Sequence, residues 1–212
     1  AVASLFLGGY RLWPGIALGA FLVNFFTGAH LFVAIGISTG NLLEALACTT
    51  ILKHENVQPA LDSLHDILVL VLAAAPISAL ISATMGVSSL WLGGNIAWSS
   101  AYGTWRAWWL GDAISLLQFV PLLFTWSMLP HTTRSYKRLI ELGLFSAFVL
   151  VVGVFVFLRL SHINEKSAST TYLVFPPLIW AALRFGPRGA TTTLVALSSF
   201  AIVGTIWGVS PF

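Results

Sequence analysis

The sequence predicts an all-α, polytopic transmembrane helix bundle with about eight membrane segments. Two observations predict it. The 212 residues are 58% hydrophobic and only 8% charged, where a soluble domain carries about 25% charged residues, and mean hydropathy is +0.91. Apolar stretches also recur along the whole chain, separated by short turns that hold most of the Arg and Lys. The whole span 1–212 is read as one integral-membrane domain with the lipid bilayer as its solvent.

The same composition excludes several classes. A net charge of +3 and a pI near 9.4 do not imply nucleic-acid binding, because the bases sit at segment ends where they set topology. The single cysteine, Cys48, forbids a disulfide within the chain, and no CxxC or zinc pattern is present. His30, His54, His65, His131 and His162 are scattered, without HxxxH or HExxH spacing, so neither metal nor cofactor is expected. No nucleophile triad, P-loop or dinucleotide fingerprint is present, so this segment is expected to be non-catalytic. The chain starts in mid-apolar sequence without Met, so it is expected to be a fragment with truncated ends.

Taken in order, residues 1–8 read as the end of a membrane helix, and Gly8-Gly9-Tyr10-Arg11 as a turn with a basic anchor. Leu12 to Thr27 comes next, with Pro14 suited to a first helical turn. Gly15 and Gly19 form a GxxxG, which invites a neighbouring helix, and Asn24 is read as polar at depth. Leu31 to Leu52 is long enough to span the bilayer. It carries a second GxxxG, Gly36 and Gly40, and Glu44 continues that face beside Asn41. Lys53 to Asp66 is the longest polar stretch. Val57, Leu61, Leu64 and Leu68 suggest an interfacial helix there, and Ser63 with Asp66 resembles a capping box.

Ile67 to Leu92 is expected to kink at Pro76, with small-residue stripes Ala75/Ala79/Ala83 and Ser78/Ser82/Gly86 as packing faces. Gly93 to Gly103 reads as a loop. From Trp105 to Leu129 the chain is again apolar, with a second kink expected at Pro121. Leu139 to Leu160 is plain. Tyr172 to Leu183, opening with Pro176-Pro177, suggests a broken or re-entrant start. A basic turn, Arg184 to Gly189, then leads to Ala190 to Trp207.

Trp105, Trp108, Trp109 and Asp112 fall at i, i+3, i+4 and i+7, one helix face. A carboxylate at that depth costs about 3 kcal/mol or more unless it meets a partner or water. Either Asp112 is a ligand or proton site with the tryptophans as its aromatic wall, or it hydrogen-bonds another helix above an interfacial tryptophan belt. Glu44 is the second buried acid. Counted from Trp105 and from Leu52, the two acids differ in depth by roughly 8 Å in a core of about 30 Å, so direct contact needs tilt, although both could line one polar cavity. Asn24, Asn41 and Glu44 are the possible partners of Asp112. Arg184 and Arg188 are read as cytoplasmic anchors or as partners for acids. Alternating loops place seven bases on one side (Arg11, Lys53, Arg134, Lys137, Arg138, Arg184, Arg188) and three on the other (Arg106, Arg159, Lys166), so the first side is expected to be cytoplasmic.

Five stretches in order, Trp13–Asn24 (WPGIALGAFLVN), Gly40–Leu46 (GNLLEAL), Trp108–Ala113 (WWLGDA) with Pro121, Arg184–Ala190 (RFGPRGA) and Gly208–Phe212, resemble the bacterial membrane-associated sensor family of MASE type, first-described kind. The resemblance covers essentially the whole chain. It implies a bacterial inner-membrane sensor fused to a cytoplasmic output domain: a histidine kinase, a diguanylate cyclase, or PAS or EAL modules of cyclic di-GMP signalling. It also implies a further helix before and after this span. Homodimerisation through the output domain is expected. The family's stimulus is not implied; the partner is a small ligand or another membrane protein. Two rival readings stand beside it, a small-solute transporter or channel and a membrane-protein docking module.

Overall fold

Long apolar runs without strand-like alternation leave the backbone one way to satisfy itself in lipid, by hydrogen bonding within helices. The computed structural model describes residues 1–128, 136–158 and 171–207. Those residues form helices joined by short turns, with no strand among them. We number them α1 (Val2–Gly8), α2 (Trp13–Phe26), α3 (Leu31–His54), α4 (Leu64–Leu92), α5 (Trp98–Ser127), α6 (Tyr136–Leu158) and α7 (Phe175–Ile206). Five of them, α3 to α7, are long and apolar enough to cross a membrane. Among the described residues the expected eight segments are all helical, as α1 to α6 and the two arms of α7, but only five helices meet this length, α1 and α2 having 7 and 14 residues. Arg134, Arg159, Lys166, the polar loop Ser161–Thr170 and the Gly208–Phe212 motif lie outside the described residues.

Large side chains on the outside confirm the solvent. Phe26, Phe32 and Leu183 are each at least 80% exposed, as expected of surfaces that face lipid and not water. Small residues, by contrast, are inside. Ala75, Ala79, Ala83 and Ser78 are fully buried, so the stripes read from the sequence are packing faces.

The chain divides into two compact units, Ala1–Phe124 and Thr125–Phe212. In the first, α3 packs most extensively on α4 and next on α2. Gly36 and Gly40 make that approach possible: a Cβ on Gly40 would come within 2.8 Å of Met85, and one on Gly36 would strike Ser89. A core of Leu5, Cys48, Leu52, Leu70, Ala74 and Phe124 lies between the helices.

Val57 and Leu61 also enter that core, at 3% and 7% exposure. The interfacial helix expected there does not form. Asn56 and Leu61 have φ of 54° and 53°, which a right-handed helix cannot hold. Ser63 does cap α4, its Oγ accepting from the Asp66 amide at 3.0 Å. Within α4, a π-helical turn at Leu70–Ala74 precedes Pro76, the local widening expected where proline removes a donor. No such break interrupts α5, which runs unbroken through Pro121.

In the second unit, Gly186 (φ 68°, ψ −160°) interrupts α7. The two arms fold back on each other. A Cβ on Gly189 would lie 3.1 Å from the Ala181 carbonyl, whereas eight residues of unbroken helix span about 12 Å. On α6, Glu141 and Phe145 meet Arg184 and Trp180 of the first arm, and Gly153 meets Phe200 of the second. The first arm therefore runs antiparallel to α6 and the second parallel. The expected pair of segments around a basic turn is present as this hairpin. Pro176-Pro177 opens the first arm as an ordinary helix start.

Candidate functional site

One face runs the length of α5. Trp105, Trp108, Trp109 and Asp112 begin it, and Ser115, Leu116, Phe119, Val120 and Leu123 continue it at helical spacing. The structure divides this face at Asp112.

On the N-terminal side, the tryptophans pack against α4. Trp105 Nε1 donates to Thr84 Oγ1 at 3.1 Å, and Trp109 Nε1 donates to the Pro76 carbonyl at 3.0 Å. Their rings stack with centroids 6.1 Å apart. Trp108 lies where only glycine leaves room: a Cβ on Gly86 would come within 2.6 Å of its ring. The tryptophans are thus anchors between α5 and α4, and none of them lines the cavity that opens at Asp112.

From Asp112 onward the face lines a cavity of about 460 Å³ bounded by α1, α2, α3 and α5. Asn41 and Glu44 enter it from α3. Gly15, Ile16, Gly19 and Ala20 form the α2 wall. Gly15 and Gly19 were expected to draw a helix close, yet nothing lies within 4 Å of the Cβ either one lacks. Their missing side chains create the space.

Asp112, Glu44 and Asn41 are therefore brought to one site. The depth difference read from the sequence came from starting α5 at Trp105. The helix starts at Trp98, so Asp112 sits fourteen residues from one end and fifteen from the other. Glu44 is likewise central in α3, thirteen residues from Leu31 and ten from His54. Asn24 is not part of the site. It lies two residues from the end of α2 and donates to the Ala20 carbonyl of its own helix at 2.8 Å.

The polar end of the cavity is short of donors. The Ser82 hydroxyl of α4 donates to Asn41 Oδ1 at 3.1 Å and stands beside both carboxylates. It has one proton for three acceptors, and the Trp108 indole N–H stands beside Asp112 as a further donor. Glu44 Oε1 and Asp112 Oδ2 are fully buried and find no partner among the described residues. Leaving such an oxygen unsatisfied costs about 1–3 kcal/mol, more when charged. Among the described residues, no group of three or more His, Cys, Asp or Glu side chains could hold a metal.

Sequence reading missed Ser115, Phe119 and Ser82. The first two were findable by continuing the α5 face past Asp112. Ser82 was not, because its part in the site depends on which face of α4 meets α3.

In the second unit, Arg184 makes a two-pronged ion pair with Glu141, Nη2 to Oε2 at 2.8 Å and Nε to Oε1. With Lys137, Arg138 and Phe185 they line a pocket of about 260 Å³. Arg188 Nε donates to the Thr125 carbonyl at 2.6 Å, capping the last turn of α5, where unpaired carbonyls and the helix dipole favour a cation. Trp126 Nε1 donates to Thr192 Oγ1 at 2.9 Å, and Thr125 and Thr191 share a hydrogen bond at 3.3 Å. Thr191 and Thr192 therefore join α7 to the end of α5.

The family model described as MASE1 matches residues 1–212, the whole chain. No curated protein and no solved structure matches it.

Proposed function

Because the chain belongs to the MASE1 family, membrane sensor domains found in histidine kinases and diguanylate cyclases, we propose that the Glu44–Asp112 cavity is where this module takes in its signal. The family is one of sensory input and not of catalysis, so the module's work is to change the state of an output domain. The observation that carries the reading is the pair of unpartnered carboxylate oxygens at the polar end of a cavity whose other end is apolar. Intramembrane acids are expensive, and sites of function are where such a cost persists.

Occupying the cavity changes the relative stability of helix arrangements by the ligand's differential affinity for them. The route out is short. Asp112 shares its helix face with Trp109, and Trp109 holds the Pro76 carbonyl next to the π-helical turn of α4. A shift of α5 at Asp112 thus reaches the least regular point of α4. In this reading the module lies in a bacterial inner membrane. Its output domain, fused in the same polypeptide on the cytoplasmic side, is a kinase, cyclase or phosphodiesterase, with dimerisation through that domain.

The test is Asp112→Asn in the full-length protein. We expect altered output activity with unchanged membrane insertion and thermal unfolding. A variant that folds normally and signals as the parent does in every condition overturns the assignment of this cavity.

A further inference from the structure

The chemistry of the cavity specifies a class of ligand as well as a place for one, an inference that rests on the Glu44–Asp112 cavity being the sensing site. Its volume of about 460 Å³ is some fifteen times the ~30 Å³ share of a water molecule in the liquid. A bare ion or a single water would leave most of it empty. Ile16, Leu116, Phe119, Val120 and Leu123 make one part of its wall apolar. The other part holds Glu44 and Asp112, the only charged side chains in the wall among the described residues. No Lys or Arg compensates them there. Of the nearby hydroxyls, Ser82 already donates to Asn41 and Ser115 lines the wall, yet Glu44 Oε1 and Asp112 Oδ2 find no donor among the described residues. Two acceptor oxygens therefore await donors. Hydrogen bonds from an ionised donor to carboxylate are about twice as strong as neutral ones, and an ammonium group brings three N–H donors on one centre.

The geometry points to a small organic cation as the ligand, a primary ammonium head set between Glu44 and Asp112 with an apolar body lying toward Phe119 and Leu123. A bare metal cation fits less well. It wants a shell of six or more oxygens, and the wall here is mostly carbon. An anion or a neutral apolar molecule would leave both carboxylates unmatched.

The experiment uses the full-length protein in nanodiscs, with empty nanodiscs of the same lipid subtracting partition into the bilayer. Saturable binding is measured for n-hexylammonium, n-hexyltrimethylammonium, n-hexanol and n-hexanoate, with output activity recorded in parallel. We expect saturable binding of hexylammonium, at least tenfold weaker binding of the trimethyl cation, which has no N–H, and none of the alcohol or the carboxylate. Glu44→Gln and Asp112→Asn should each weaken hexylammonium at least tenfold. Gly19→Leu extends a side chain into the cavity from a position where a Cβ meets nothing within 4 Å, and should abolish binding while the protein remains folded.

Hexanol binding as tightly as hexylammonium, or hexylammonium binding that ignores both acid substitutions, overturns the ligand class. If Asp112→Asn or Gly19→Leu changes output while hexylammonium fails to bind, the ligand class is wrong and the sensing site stands. If hexylammonium binds through both acids but output never responds to it or to Asp112→Asn, the ligand class stands and the sensing site is wrong.

Discussion

At Gly86 one missing methyl group decides whether a tryptophan has a place. The Trp108 ring occupies the volume a Cβ would take, so Gly86→Ala overpacks the α4–α5 contact. Overpacking of this kind costs about 1–3 kcal/mol, and we expect the loss as a lowered midpoint of thermal unfolding in detergent. Adding Trp108→Ala should make the two substitutions markedly non-additive, since they share one contact. Single residues also decide the site. Asp112 was recognisable as costly from its type and position alone. That Glu44 shares its cavity stood only as one possibility, because the estimate of depth hinged on where α5 begins. Six residues of the expected Gly93–Gly103 loop, Trp98 to Gly103, belong to the helix. In a lipid-embedded helix the demand to satisfy every backbone group overrides weak local propensity.

Within α7 the element is shaped by one dihedral pair. Gly186, at φ 68° and ψ −160°, occupies a region open essentially to glycine alone. Nothing lies within 4 Å of the Cβ it lacks, so substitution acts through backbone strain and not through a clash. Gly186→Ala should therefore destabilise the hairpin by about 1–3 kcal/mol, read as faster limited proteolysis and a lower unfolding midpoint. Gly143→Ala is the control. Gly143 sits within α6, also with open space around it, and alanine there should be neutral or stabilising by up to about 1 kcal/mol. The basic turn at Arg184–Gly189 was legible because Gly-Pro stops a helix. The partners of its two arginines were not. Arg184 takes Glu141 and Arg188 takes the Thr125 carbonyl, and both choices depend on which helix ends lie together.

Across the whole molecule, the orientation read from the bases makes a sharp prediction. Lys53 lies 4.5 Å from the centre of the Tyr10 ring, so the turn carrying Arg11 and the end of α3 share one end of the first unit, as the alternation of loops requires. Cys48 is buried and should stay silent to maleimides, so single cysteines introduced elsewhere report alone. Asn95→Cys, in the turn between α4 and α5, should be labelled from outside intact cells. Gln58→Cys, after α3, should label only once the membrane is opened. The reverse pattern would invert the topology.

By itself the sequence determined that this is an all-helical membrane protein, which small-residue faces of α4 are packed, and that Asp112 and Glu44 are its costly acids. Those properties follow from composition and from helical periodicity, which act locally. Only the tertiary structure decided that Gly15 and Gly19 leave a cavity while Gly36 and Gly40 close a gap, though both pairs have the same spacing. It also decided that the tryptophans pack on α4 outside the cavity wall, while Trp108 stands beside Asp112. Such outcomes depend on which faces meet, and in a bilayer every helix has more than one apolar face to offer. Packing among several helices at once, and not the preference of any one, selects between them.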